Sequence, residues 1–209
     1  MSASIHVAAL EGQLYAVQQV IKSEPTAVNS KDEFLLDNGS DVNAADEAYW
    51  TPLHIAGNLA VTEKLLQLGA TVNAQNEMGL TPFLHKKYFI RHYAASKNRI
   101  EIGTLLLERG ADLNIRDQNN QTPLHRCAVC GYTVFVKLLL EKGARPNVAD
   151  KVKNTPLHLA CEEGYGDCAL VLIENGGDIT LENEQKQTPL DLCKKQLRDF
   201  ILQQTSTEE

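Results

Sequence analysis

The run Asn154-Thr155-Pro156-Leu157-His158-Leu159-Ala160-Cys161 reads as the opening of a helix. Threonine is a favoured N-cap, and proline suits the first helical position, where its missing N–H is not needed. The same Thr-Pro-apolar unit recurs at Thr51, Thr81, Thr122, Thr155 and Thr188, at spacings of 30, 41, 33 and 33 residues. A glycine stands twelve residues before each threonine, at Gly39, Gly69, Gly110, Gly143 and Gly176. Self-similarity at a fixed period of this length is the mark of a repeat architecture.

Each unit has a physical reading. A short inner helix rich in small residues (Leu124 to Val129, Leu157 to Cys161) lets its neighbours approach closely. A second helix follows with apolar residues at helical spacing, Val134, Leu138, Leu139 and Leu140, and Gly143 supplies a left-handed C-cap. Turn-formers come next, Asn73, Asn114 with Asp117, and Asn147 with Asp150, predicting a finger-like hairpin. At the far end Leu197, Phe200 and Ile201 are expected to seal the stack while Lys194, Lys195, Arg198 and Asp199 face water.

Helix, turn, helix and finger with Thr-Pro-Leu-His at a period of 33 resembles the ankyrin repeat, over roughly nine-tenths of the chain. The resemblance implies an all-α ankyrin-repeat solenoid with β-hairpin fingers, about five full repeats and a truncated second one. The expected organisation is one domain over 1–209, with a first repeat at 1–33 and a truncated repeat at 34–50. Repeats at 51–80, 81–121, 122–154 and 155–187, a capping repeat at 188–204 and a tail at 205–209 complete it.

Departures from the period are informative. Three residues are missing after His54, so His54-Ile55-Ala56-Gly57 is too short for an ordinary inner helix. Eight are extra at Leu84 to Arg91, a basic and aromatic segment that reads as a tolerated surface loop or an added contact for an acidic partner. Asn29 and Asn43, equivalent finger residues, lie 14 apart instead of 33. An altered splice and real divergence both explain that gap.

Closer stretches resemble the gankyrin family, assembly chaperones of the 26S proteasome regulatory particle. They are Phe34 to Asn43, Trp50 to Ala56, His92 to Ile102, Asn154 to Glu163 and Ile179 to Leu190. The resemblance implies that a concave face holds the C-terminal domain of a regulatory-particle ATPase subunit, with contacts at Glu33, Asp46, Glu47 and Lys97. Trp50 and Arg99, from the matched runs, and Arg116, Asp117 and Lys151, at charged finger tips, complete the candidate partner-binding set. The tips read as alternating in charge, which suits a mixed-charge protein surface. A retinoblastoma-type protein or a cyclin-dependent kinase is a further candidate partner, and the alternative function is a signalling ankyrin that masks a kinase or transcription factor.

Other functions find little support. Net charge is −7 with no block of lysines or arginines, so nucleic acid is a poor partner. The first residues lack a charged and then apolar leader, and no stretch approaches the length of a membrane span, so the expectation is a monomer in cytoplasm and nucleus. Five cysteines form an odd set that suggests reduced thiols. Cys127-Ala128-Val129-Cys130 beside His125 lacks the second ligand pair of a zinc site, and Cys127, Cys161 and Cys193 fall in alanine slots of the inner helices. Leu159, Cys161 and Glu163 spell a pocket-protein ligand motif, but such ligands bind extended, whereas these residues should be helical and partly buried. His54, His125 and His158 sit where the imidazole can bond back to its own turn. With no catalytic motif visible, neither an enzyme nor a cofactor is expected.

Overall fold

The computed structural model describes residues 41–56, 59–84 and 97–205, with the side chains of 97–99 and 205 excepted. The described residues are helical and contain no β-strand. Contacts divide the chain into two compact units between Asp112 and Leu113, inside the repeat expected at 81–121.

In the first unit, α1 (Pro52–Ile55) is a single turn, and α2 (Leu59–Gln67) and α3 (Lys97–Glu108) follow it. The three-residue deletion after His54 therefore shortens the inner helix as expected, and Ala56 ends it with its N–H donating to the Pro52 carbonyl. Leu53, Val61, Leu65, Ile102 and Leu106 form the core of this unit. Leu84, the first residue of the insertion, is buried; 85–91 lie outside the described residues, as do the expected first repeat at 1–33 and 34–40 of the truncated one.

The second unit contains two full helix pairs and a cap. Inner helices α4 (Pro123–Ala128) and α6 (Pro156–Glu163) alternate with outer helices α5 (Thr133–Glu141) and α7 (Gly166–Glu174). The one-turn α8 (Pro189–Leu192) and α9 (Lys195–Thr205) close the unit. Inner helix packs on inner helix (α4 on α6, α6 on α8) and outer on outer (α5 on α7, α7 on α9). Leu124, Val136, Leu139, Leu157, Leu172 and Ile201 are fully buried in this core.

The outer face of α5 differs from the sequence expectation. Val136 and Leu139 are buried while Val134 is 61% exposed, because at about 100° per residue Val134 lies on the opposite side of α5 from those two. The cap also differs in part: Ile201 is buried, but Phe200 stays 40% exposed, and Lys194, Lys195, Arg198 and Asp199 face water. Gly143 has φ +92, and Ala144 donates across it to the Leu139 carbonyl at 2.9 Å, the left-handed helix stop expected there.

Burial without exposure at Leu157 makes it a direct probe of stacking. Leu157→Ala should destabilise the protein by about 3 kcal/mol, read as a lower urea midpoint at unchanged slope.

Candidate functional site: the finger row

Five fingers share one construction. An Asp or Asn stands five residues before each Thr-Pro, at Asp46, Asn76, Asp117, Asp150 and Asn183. Its Oδ1 accepts two backbone N–H groups, in the third finger those of Asn119 at 2.8 Å and Gln121 at 2.9 Å. The fourth finger repeats this with Val152 and Asn154, and the fifth with Gln185 and Gln187. The backbone closes each loop, as where Asp150 donates to the Asn154 carbonyl at 2.9 Å and Lys153 to the Asp150 carbonyl at 3.1 Å. The expected hairpins are thus tight turns braced by an inward side chain, with no paired strands among the described residues.

Neighbouring fingers are tied together. In the second unit Lys151 donates its N–H to the Asn119 carbonyl at 3.0 Å, and Glu184 to that of Val152 at 3.0 Å. Gln121 Nε2 donates to Asp150 Oδ2 at 3.3 Å and Asn183 Nδ2 to Asn154 Oδ1 at 3.0 Å. Behind the fingers a second ladder uses asparagine amides. Asn147 Nδ2 donates to the Gly176 carbonyl at 2.8 Å while its Oδ1 accepts from Asp178 N–H at 2.9 Å. In the first unit Asn73 bridges Gly110 and Asp112 in the same way.

The histidines anchor the fingers to the helices. Thr122 N–H donates to His125 Nδ1 at 3.2 Å, and Thr155 N–H to His158 Nδ1 at 3.1 Å. A backbone N–H can only donate, so the ring proton sits on Nε2. From there it reaches the next finger: His125 Nε2 donates to the Asn154 carbonyl at 3.0 Å and His158 Nε2 to that of Gln187 at 3.1 Å. His54 bridges Thr51 and Leu80 alike. Both nitrogens of each ring are therefore committed to structure, and among the described residues no cluster of three or more His, Cys, Asp or Glu side chains could hold a metal ion. Burial holds the His125 and His158 rings below the usual 6.5, against the opposing pull of the carbonyls to which they donate.

The partner-binding residues predicted from sequence separate into three groups. Arg116, Lys151 and Glu47 are exposed on finger ends. Asp117 is buried: Oδ1 braces its turn, and Oδ2 accepts from Arg126 Nη2 of α4 at 2.6 Å. Asp46 likewise braces a turn, through Ala48 and Trp50 N–H, and the Trp50 ring packs edge-on against His54 at 5.4 Å. Glu33 and the side chains of Lys97 and Arg99 lie outside the described residues.

Turning Asp117 and Asp150 inward changes the charge reading of the second unit. Its finger ends do not alternate in sign: Arg116, Lys151, Lys153 and Lys186 are exposed cations, set against Glu182 and Glu184. Glu182 is itself paired with Lys186 at 3.2 Å. Sequence reasoning missed Arg126, which occupies the slot filled by Leu159 in the next repeat and neutralises the buried Asp117 carboxylate. The pocket-protein motif is not presented as a peptide: Leu159 and Cys161 are buried in helical α6, and only Glu163 is exposed.

A model of ankyrin repeats in three copies matches residues 91–183, and a single-repeat model matches 49–77. A protein of Saccharomyces cerevisiae described as a probable 26S proteasome regulatory subunit p28 is 33% identical over 161 residues, 64% of this chain and 67% of the yeast protein. A putative ankyrin repeat protein of Rickettsia bellii is 31% identical over 54% of this chain and 68% of its own length. The bovine SMC5-SMC6 complex localization factor protein 1 is 34% identical over 41% of this chain, which spans only 8% of that much longer protein. The chain belongs to the ankyrin-repeat family, and its repeats form a protein-interaction module. Among the described residues no helix is long and apolar enough to cross a membrane.

Two measurements probe this framework. Unfolded histidines take up protons near pH 6.5, whereas the folded His125 and His158 rings do so only at lower pH. Their neutral state therefore contributes stability that is full above about pH 6.5 and lost as pH falls below it; the melting temperature should drop over that window, with a flatter slope in His158→Gln. Asp117→Ala should cost about 2–3 kcal/mol by stranding Arg126 and opening the turn. Asp117→Asn, the residue type the second and fifth fingers use, should cost about 1 kcal/mol in the same denaturation assay.

Proposed function

We propose that the finger row of this chain grips an acidic surface on a regulatory-particle ATPase subunit of the 26S proteasome, and that the protein acts as an assembly chaperone without chemistry of its own. The observation that carries the reading is the cationic set Arg116, Lys151 and Lys153 on braced turns of a chain whose net charge is −7. Cations clustered on one rigid edge of an acidic protein favour association with a complementary acidic patch, through both the encounter rate and the choice of partner. Rigid fingers also lose little conformational entropy on docking. The yeast relative, by its name a probable proteasome regulatory subunit, supports the class of partner. The C-terminal domain of the ATPase is the segment bound in this reading, Glu47, Lys97 and Arg99 of the first unit are separate candidate contacts, and the complex resides in cytoplasm and nucleus.

Affinity purification of the tagged chain should recover regulatory-particle ATPases; a kinase or transcription factor in their place would favour the signalling alternative. By calorimetry against the isolated ATPase C-terminal domain, Lys151→Glu and Lys153→Glu should each weaken binding about tenfold at low salt and less at moderate salt. Lys97→Glu should weaken it about thirtyfold. Unchanged affinity in Lys151→Glu and Lys153→Glu would remove the finger row from the interface, and unchanged affinity in Lys97→Glu would remove Lys97 from it.

A further inference from the structure

All five cysteines are free thiols, and two of them meet across a repeat boundary. Cys161 is buried on α6, and Cys193 caps the C-terminus of α8, where it is partly exposed. These two inner helices pack directly on one another, and the two thiols share a hydrogen bond. Cys193 sits where the chain leaves the helix, at φ −68° and ψ 139°, with its N–H donating to the Leu190 carbonyl at 3.3 Å. Lys194, Lys195 and Arg198 follow it and are exposed.

The pair is asymmetric in the sense a thiol–disulfide site needs. The hydrogen bond with Cys161, helped by Arg198, holds the Cys193 thiol below its ordinary value against the effect of burial. The same bond, together with burial, pushes Cys161 up. Cys193 is also the thiol that solvent reaches, with the buried Cys161 behind it. Reactive thiols are those with thiolate character and access, and a resolving thiol beside them converts an adduct to a disulfide. Cys127 and Cys168 are buried, with their thiols raised by desolvation, Cys168 to about 12, and lack that access.

We propose that Cys161 and Cys193 form a reversible thiol–disulfide site whose co-reactant is a low-molecular-weight disulfide such as oxidised glutathione. The Cys193 thiolate attacks one sulfur of that disulfide, and one glutathione thiolate leaves. Cys161, its proton passing to the departing thiolate, then attacks the Cys193 sulfur and expels the second glutathione. Two protein thiols become one disulfide, and one glutathione disulfide becomes two glutathione thiols. The product links the last helix pair covalently to the capping repeat.

The native chain incubated with oxidised glutathione, then acid-quenched and mapped by mass spectrometry, tests the assignment. The expected product has lost two hydrogens, yields a Cys161–Cys193 cross-linked peptide, carries no glutathione and reverts with dithiothreitol. Its melting temperature should rise by about 5 °C or more over the reduced form. Cys161→Ala should retain one glutathione on Cys193, and Cys193→Ala should show neither adduct nor link. Alanine stands at both slots in a neighbouring repeat, Ala128 and Ala160, and circular dichroism verifies that each variant is folded. A link through Cys127, Cys130 or Cys168, a lasting adduct on wild-type Cys193, or an unreacted Cys193 would each overturn the proposal.

Discussion

A neutral imidazole with both nitrogens occupied sets the register of this fold. At His125 and His158 one nitrogen closes the helix-opening turn of its own repeat and the other carries a proton to a carbonyl of the next finger. Inner helix, finger and following repeat are thereby fixed by one buried side chain. The arrangement requires the ring to stay uncharged, since a second ring proton would face the threonine N–H. Apolar stacking supplies most of the stabilisation, but it is non-directional and would tolerate slippage between similar helices. The imidazole bonds specify one alignment.

That role ends where the repeats end. In the capping unit the same position is Asp191, whose Oδ2 accepts from Thr188 N–H at 2.9 Å and from its hydroxyl at 2.7 Å. These two bonds hold its carboxyl below the ordinary range. An acidic acceptor closes the local turn as the imidazole does but has no second nitrogen to extend forward, which suits a unit that presents α9 next. At Thr81 the position is Leu84, which keeps its N–H on the threonine hydroxyl at 3.2 Å and offers no forward bond. The two exceptions to Thr-Pro-Leu-His thus coincide with the cap and with the start of the eight-residue insertion.

Much of this was legible beforehand, because threonine, proline and glycine act chiefly through local backbone geometry. Thr155, Pro156 and Gly143 mark their boundaries on those grounds alone. The finger carboxylates were harder to read. Asp117 looks like a surface charge beside Arg116, and only the turn geometry shows that it points inward to meet two N–H groups and Arg126. The signal that distinguishes it was present as position: the slot five before Thr-Pro holds only Asp or Asn, and what those side chains share is a short acceptor, not a charge. Val134 misled for a different reason: α5 is apolar on more than one side, so helical spacing alone does not say which stripe, Val134 with Leu138 or Val136 with Leu139, faces the core.

The fourth residue of each finger turn carries a positive φ, and in four of the five it is not glycine: Tyr49, Asn120, Lys153 and Lys186 stand between +59° and +62°. A left-handed backbone costs an ordinary side chain on the order of 1 kcal/mol relative to glycine, as at Gly79 in the second finger. Four substitutions to glycine would thus relax the chain by a few kilocalories per mole while leaving every bracing bond in place. The chain instead tolerates conformational strain at the apex of four turns, and what it keeps there is a side chain. A repeat built this way separates its vocabulary from its grammar: the braces fix how a turn is shaped, and the strained apex is a position at which a different side chain can be tried without touching the brace. A single-residue exchange at an apex can then alter what a repeat recognises while its stacking is preserved, so recognition can diversify one finger at a time.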